Sequence, residues 1–172
     1  SEVLKYVSDC DAVIAGTEIY SQSLINNTNK LRIISRLGVG IDNIDIEACK
    51  RKKIKILRTQ TSPSRSVAEL SLGLILDCSR SITKQSNNLK ANKWSKQIGN
   101  LFSYKKVGII GLGSIGKEFV KITKGFNLEY FAYDKVKDLN FAKKNNIKFV
   151  SLKKIFQSCD IITLHLNYTK NN

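Results

Sequence analysis

The 172-residue chain has no methionine and only one proline, one tryptophan and one histidine. Because an initiator methionine is absent, we expect that the chain does not begin where its gene begins. No apolar run approaches the roughly 20 residues that cross a bilayer. The first residues, SEVLKYVSDCD, lack the basic start and apolar stretch of a secretory signal. We therefore expect a cytoplasmic protein with no membrane partner.

The four cysteines, Cys10, Cys49, Cys78 and Cys159, are widely spaced and include no C-x-x-C pair. This spacing argues against a zinc site and against a thioredoxin-type motif, so no metal is expected. Four cysteines could form two disulfides, but a chain without secretory features favours buried, reduced thiols.

The net charge of +15 is concentrated in the second half of the chain. Residues 87–172 carry 16 basic and 5 acidic side chains, a balance of +11, and all 16 basic residues are lysines. A basic half is compatible with nucleic-acid binding. However, base reading and bidentate phosphate binding favour arginine, and the last arginine is Arg80. The sequence therefore favours a lysine-rich surface and no nucleic-acid partner.

Short apolar runs alternate with helical patterns in two series, which predicts an α/β protein with parallel sheets. A helical run over residues 64–90 separates the two series and is typical of a connector between domains. An irregular arm that begins at Trp94 follows this run. The predicted strands are 11–16, 32–37, 55–59, 107–110, 128–133, 147–150 and 161–166, and the other predicted helices are 21–28, 43–53, 114–126, 141–146 and 151–159.

The glycine pattern G-x-G-x-x-G at residues 111–116 lies between a predicted strand and a predicted helix. In that context Gly111 permits a tight turn, Gly113 lets backbone N–H groups approach a pyrophosphate, and Gly116 lets the helix pack closely. Asp134 ends the next strand, where a carboxylate accepts hydrogen bonds from a ribose diol. The pattern predicts dinucleotide binding, with NAD as the cofactor. The alternative is a glycine-rich turn before an ordinary helix, with a surface aspartate.

The segments LGVGIDNIDIEACKRKKIKILRTQTSPSRSVAEL, VGIIGLGSIG and DIITLHLN together resemble the D-2-hydroxyacid dehydrogenase family, and within it most closely the D-3-phosphoglycerate dehydrogenases. The resemblance implies part of a flavodoxin-like substrate domain over residues 1–62. It also implies a long connecting helix, a dimer arm and part of a Rossmann NAD-binding domain over residues 63–172. The implied function is hydride transfer between nicotinamide and a D-2-hydroxy acid, with 3-phosphoglycerate as a candidate substrate.

The catalytic Arg, Glu and His of the family lie beyond a position like Asn172, so no catalytic residue is assigned and the 172 residues alone are expected to lack turnover. His165 is the only histidine. It stands where the family has a histidine that is not the catalytic one, and we interpret it as packed at a strand end.

The resemblance also implies individual binding residues. Backbone N–H groups of Val39 and Gly40 match the loop that binds the substrate carboxylate, although a strand-ending turn would also suit GVG. Family members often have Arg in place of Ser114 and usually have Pro in place of Asn167, so this chain departs from the family at both positions. The implied cofactor-binding residues are Thr59, Gly111, Gly113, Ser114, Ile115, Gly116, Asp134, Leu166 and Asn167.

Two partners and one alternative function complete the expectations. The implied ligand is a small 2-hydroxy or 2-oxo acid. The arm at Trp94 resembles a segment that packs across a homodimer interface, and the alternative is packing within one chain. Because NAD-binding transcriptional corepressors share this fold, a non-enzymatic scaffold is the alternative function.

Overall fold

The computed structural model describes residues 2–166. The chain separates into two compact units, Ser1–Ser62 and Pro63–Asn172. Each unit has its own hydrophobic core and its own parallel sheet, and each is described by itself.

The first unit is a three-stranded parallel sheet in the order β1-β2-β3. Val13, Ile34 and Ile56 are register partners on these strands, so their side chains share one face of the sheet. The core forms on that face, with side chains from all three helices. The elements in chain order are α1 (Glu2–Val7), β1 (Ala12–Ala15), α2 (Gln22–Asn26), β2 (Ile33–Arg36), α3 (Ile46–Arg51) and β3 (Lys55–Arg58).

Side-chain caps fix where α2 and α3 begin. The Ser21 hydroxyl accepts a hydrogen bond from Leu24 N, and the Asp45 carboxylate accepts one from Ala48 N. Each cap satisfies a backbone N–H that has no partner inside its helix. Serine and aspartate are both among the residues preferred at this position.

The second unit contains a four-stranded parallel sheet in the order β6-β5-β4-β7. Its first strand, β4, therefore lies in the interior of the sheet, and the carboxyl end of β4 leads directly into the glycine pattern. The elements in chain order are α4 (Ser64–Arg80), α5 (Ile82–Lys90), β4 (Lys106–Ile110), α6 (Ser114–Ile122), a 3₁₀ turn (Lys124–Phe126), β5 (Glu129–Tyr133), α7 (Leu139–Lys144), β6 (Lys148–Phe149), α8 (Leu152–Ser158) and β7 (Ile161–Leu164).

The helical run expected over residues 64–90 is two helices, α4 and α5. Ser81 separates them in the left-handed conformation, with φ 53°. The Asp77 carboxylate accepts hydrogen bonds from Thr83 N at 2.6 Å and Thr83 Oγ1 at 2.7 Å, and so caps the start of α5. These hydrogen bonds stabilise the ionised carboxylate and lower the pKa of Asp77 below its ordinary value.

The arm after α5 is apolar and mostly exposed. Trp94 is 85% exposed and Ile98 is 95% exposed, so packing of these two side chains within their own chain is not observed. Phe102 of the same arm is buried within the chain, and its ring centroid lies 4.8 Å from that of Phe126. No helix in the part of the chain that the structure describes is long and apolar enough to cross a membrane.

Candidate functional site

The turn from β4 into α6 requires a glycine at its first position. Gly111 has a φ of +97°, a conformation that side-chain-bearing residues rarely adopt. A Cβ at this position would lie 2.5 Å from the carbonyl oxygen of His165. The turn is also tied to the sheet, because Gly111 N donates to Tyr133 O at 2.8 Å.

Gly116 lies in the first turn of α6, directly against the preceding loop. A Cβ on Gly116 would lie 2.4 Å from the Gly111 carbonyl oxygen and 3.2 Å from Ile109 Cγ2. A backbone carbonyl cannot move aside cheaply, so only glycine allows the helix to begin this close to β4. This is the close helix-to-strand packing expected of the third glycine.

Gly113 has a different environment, because nothing lies within 4 Å of the position of its Cβ. Gly113 and Ser114 are exposed at the start of the nine-residue helix α6. Among residues 2–166, the N–H groups of Gly113, Ser114 and Ile115 donate no hydrogen bond. Unpaired N–H groups at the positive end of a helix favour a phosphate.

Asp134 lies beside the glycine loop at the end of β5. One carboxylate oxygen accepts a hydrogen bond from Leu112 N at 2.7 Å, and the other accepts one from Val136 N at 3.0 Å. A carboxylate has about four acceptor positions. The two positions that remain can accept hydrogen bonds from a ribose diol while the carboxylate also holds the loop.

The end of β7 borders the same loop. His165 N donates to Ile110 O at 2.8 Å, and the Leu166 side chain lies 2.9 Å from the position of a Cβ on Gly111. His165 Nε2 lies 3.1 Å from Thr163 Oγ1, and burial lowers the pKa of the imidazole. Burial thus favours the neutral form of the His165 ring, and its interpretation as a non-catalytic residue stays a prediction. Asn167 lies outside the described residues.

The candidate carboxylate loop follows β2 in the first unit. Among residues 2–166, the N–H groups of Val39 and Gly40 donate no hydrogen bond. Thr59 binds this loop, and its expected contact with the cofactor stays a prediction. Its hydroxyl accepts a hydrogen bond from Gly38 N at 3.1 Å, and its N–H donates to Gly38 O at 3.2 Å. The structure thus places Thr59 beside the two residues assigned to the substrate.

Two further residues near these sites make contacts that were not predicted from the sequence. Gly108 lies within β4, and a Cβ there would lie 2.5 Å from Ile155 Cγ2, so α8 packs directly on the strand at this point. A glycine inside an apolar strand pattern is a signal for such an approach. Arg58 contacts the Val39 carbonyl oxygen, and no local sequence pattern indicates that contact.

No group of three or more His, Cys, Asp or Glu side chains suited to a metal ion occurs between residues 2 and 166. The described cysteines are free thiols. The candidate site contains unpaired backbone N–H groups and the Asp134 carboxylate. These groups are suited to binding the pyrophosphate and the ribose of a dinucleotide.

The comparisons with known proteins agree with this geometry. Residues 72–172 match the family model described as the NAD-binding domain of D-isomer specific 2-hydroxyacid dehydrogenases. The matched region contains α6 and the whole glycine loop.

Two curated relatives match nearly the whole chain. A hydroxypyruvate reductase of Thermotoga maritima is 34% identical over 174 residues, which cover 99% of this chain and 56% of the relative. A D-3-phosphoglycerate dehydrogenase of Methanocaldococcus jannaschii is 35% identical over 173 residues, which cover 98% of this chain and 33% of the relative. The chain therefore spans only about a third to a half of the length of these relatives.

A solved structure shows the same architecture. The apo-structure of D-lactate dehydrogenase from Escherichia coli superposes with a TM-score of 0.87 and 25% identity, and the match covers 99% of this chain and 55% of the other. The α/β architecture with parallel sheets agrees with the fold class that the sequence predicts.

The three glycine environments predict three different outcomes for replacement by alanine. Gly116→Ala should lower the melting temperature and weaken NADH binding, because the added methyl group meets the Gly111 carbonyl. Gly113→Ala should leave the melting temperature unchanged but weaken NADH binding, because its open space is where a pyrophosphate would lie. Thermal melts and NADH fluorescence titrations measure the two effects.

Gly125→Ala is the matched control, because nothing lies within 4 Å of its Cβ position and Gly125 belongs to the 3₁₀ turn after α6. This variant should retain NADH binding. Unchanged NADH affinity in Gly113→Ala would contradict the assignment of this loop to the cofactor.

Proposed function

The chain belongs to the D-isomer specific 2-hydroxyacid dehydrogenase family, and from this premise we propose that the full-length protein is an NAD-dependent oxidoreductase. Its proposed reaction is hydride transfer between nicotinamide and the C2 carbon of a small D-2-hydroxy acid or the corresponding 2-oxo acid. The observation that carries the proposal is the open turn of Gly113, Ser114 and Ile115, which presents three unpaired N–H groups beside Asp134.

The described residues have three proposed roles in cofactor binding. The first turn of α6 binds the pyrophosphate through backbone N–H groups, and the Asp134 carboxylate binds the ribose diol. Leu166, which lies against Gly111, borders the cofactor on the β7 side. When bound, NAD supplies the hydride acceptor or donor.

The proposed substrate contact is the pair of N–H groups of Val39 and Gly40. These groups donate no hydrogen bond to residues 2–166, so two donors are free for a carboxylate. Neutral backbone donors bind carboxylates without adding a charge that would have to be desolvated. The family's catalytic residues are a His that transfers the proton, a Glu that orients this His and an Arg that holds the carboxylate. All three remain expected beyond residue 172.

We also propose 3-phosphoglycerate as a candidate substrate. Its support is the similarity to the enzyme of Methanocaldococcus jannaschii, whose name specifies that substrate. The similarity to a hydroxypyruvate reductase supports a smaller 2-oxo acid equally, so the two must be compared directly.

The exposed arm supports a proposed homodimer. Four of its apolar side chains are at least 60% exposed, namely Trp94, Ile98, Leu101 and Tyr104. The outward side chains Leu70 and Leu74 of α4, exposed by 63% and 58%, extend the apolar surface of the same unit. Apolar patches of this kind mark interaction surfaces, and closed two-fold dimers are the commonest assembly.

The activity prediction uses a panel of 2-oxo acids with NADH and the full-length protein. Pyruvate, glyoxylate, hydroxypyruvate and 3-phosphohydroxypyruvate should include at least one substrate, measured as loss of NADH absorbance. NADH binding without turnover on any panel member would contradict the dehydrogenase proposal and favour the corepressor-like scaffold. The ranking of kcat/KM across the panel selects among the candidate substrates.

The cofactor prediction concerns Asp134. Its carboxylate should repel a 2′-phosphate, so NADH should bind at least about tenfold more tightly than NADPH, a difference of about 1.4 kcal/mol. Lys135 and Lys137 lie close to Asp134 in the sequence, and their positive charges would reduce this repulsion. The Lys137 Nζ lies 5.8 Å from the Phe149 ring centroid. Asp134→Asn removes the charge but keeps an acceptor for Leu112 N, so it should narrow the NADH preference with less loss of NADH affinity than Asp134→Ala.

Asp160→Asn is the matched control for these variants. The Asp160 carboxylate also accepts a backbone hydrogen bond, from Lys106 N at 2.7 Å, but at the opposite end of β4. The Asp160→Asn variant should leave the NADH-to-NADPH affinity ratio unchanged. An unchanged ratio in Asp134→Asn would place the ribose contact on another residue.

The assembly prediction is that the full-length protein is a dimer at micromolar concentration, measured by light scattering. Ile98→Asp, which puts a charge at a side chain that is 95% exposed, should dissociate it. Phe156→Asp, an exposed apolar residue of α8 outside the arm, is the control and should leave the mass unchanged. A wild-type protein that scatters as a monomer would rule out the dimer.

A further inference from the structure

The loop of Gly38, Val39 and Gly40 is attached to the end of β3 by two residues. Thr59 holds Gly38 through the two hydrogen bonds described above. Arg58, the last residue of β3, donates from a terminal guanidinium nitrogen to the Val39 carbonyl oxygen at 3.2 Å. Residues far apart in the sequence thus fix consecutive peptide groups of the loop.

The hydrogen bond from Arg58 determines the direction of the Gly40 N–H. The carbonyl of Val39 and the N–H of Gly40 belong to one peptide group, and no peptide bond among the described residues is cis. In a trans peptide the C=O and the N–H point in opposite directions. Because Arg58 holds the Val39 carbonyl oxygen, the Gly40 N–H is turned away from the guanidinium and remains free to donate.

The charges around the loop indicate that the contact between Arg58 and Val39 affects the binding of an anion. Arg36 and Arg58 are register partners at the carboxyl ends of β2 and β3, so their side chains leave the sheet on the same face. Neither arginine forms an ion pair within residues 2–166. The Asp42 carboxylate lies 2.9 Å from the position of a Cβ on Gly40, and it would oppose a bound carboxylate if a guanidinium charge were removed.

We infer that Arg58 is a positioning residue for the carboxylate of the 2-oxo acid. Arg58 acts through the Val39–Gly40 peptide, which it orients. Its positive charge offsets the negative charge of the Asp42 carboxylate. The inference rests on the proposed function, because that function supplies the carboxylate. Arg36 is engaged differently: it donates to the Leu37 carbonyl oxygen and, at 3.4 Å, to Asn43 Oδ1.

The kinetic test compares Arg58→Gln and Arg58→Lys in the full-length protein. Arg58→Gln should raise the KM for the preferred 2-oxo acid by about tenfold or more, the size expected for a lost hydrogen bond to a charged group. It should change kcat by less than about threefold and leave NADH affinity unchanged, because this loop is assigned to substrate and the glycine loop to cofactor. Arg58→Lys keeps the charge and a donor, so it should recover part of the loss.

Arg32→Gln is the matched control. Arg32 lies just before β2, at the amino end of the same sheet, and its side chain is 82% exposed. The KM of the Arg32→Gln variant for the preferred 2-oxo acid should equal that of the wild type. A KM for Arg58→Gln that also equals the wild-type value, or a rise in KM accompanied by an equal loss of NADH affinity, would overturn the role of Arg58.

A binding measurement separates this inference from the proposed activity. Oxalate, which carries carboxylates without being reduced, should shift the amide resonances of Val39 and Gly40 in the wild-type protein, with about tenfold weaker binding in Arg58→Gln. No shift at Gly40, or equal oxalate affinity in both proteins, would overturn the inference. Oxalate binding as expected, but without turnover of any 2-oxo acid, would support the inference and contradict only the proposed dehydrogenase activity.

Discussion

The approach of Gly116 to the Gly111 carbonyl oxygen is the contact on which the dinucleotide loop depends. A Cβ on Gly116 would lie 2.4 Å from that oxygen, and a Cβ on Gly111 would lie 2.5 Å from the His165 carbonyl oxygen. The loop, the first turn of α6 and the end of β7 are therefore packed backbone against backbone. This packing fixes the helix start so closely to the sheet that its unpaired N–H groups face the open space at Gly113.

Asp134 extends the same constraint to the next strand. Its carboxylate accepts hydrogen bonds from Leu112 N inside the loop and from Val136 N beyond β5. The residue assigned to the ribose thus also supports the loop assigned to the pyrophosphate. We therefore expect a substitution that removes the carboxylate entirely to change both the loop geometry and the proposed cofactor selectivity.

Local patterns were sufficient where local physics decides the structure. Alternating apolar runs and helical spacing predicted the two series of strands and helices. The hydroxyl groups of Ser21 and Ser151 cap α2 and α8, each through a backbone N–H three residues later. The position of G-x-G-x-x-G after a strand predicted a turn at Gly111 and a helix at Ser114, and both are present. These features depend on residues within a few positions of one another.

Features that depend on distant residues were not predictable in this way. The left-handed Ser81 lies beside a close contact between the arm and the end of α4, where Asn100 N donates to Ser79 O at 2.7 Å. A Cβ on Gly99 would lie 2.7 Å from the same Ser79 oxygen, so the arm can cross there only with a glycine. No pattern within residues 64–90 indicates that residues 99 and 100 pack against the end of α4. The helical pattern of the sequence therefore continues through Ser81, where the chain turns. The contact of Arg58 with Val39 was not predictable for the same reason. The register of β2 and β3 brings the two residues together, and no local sequence pattern indicates that register.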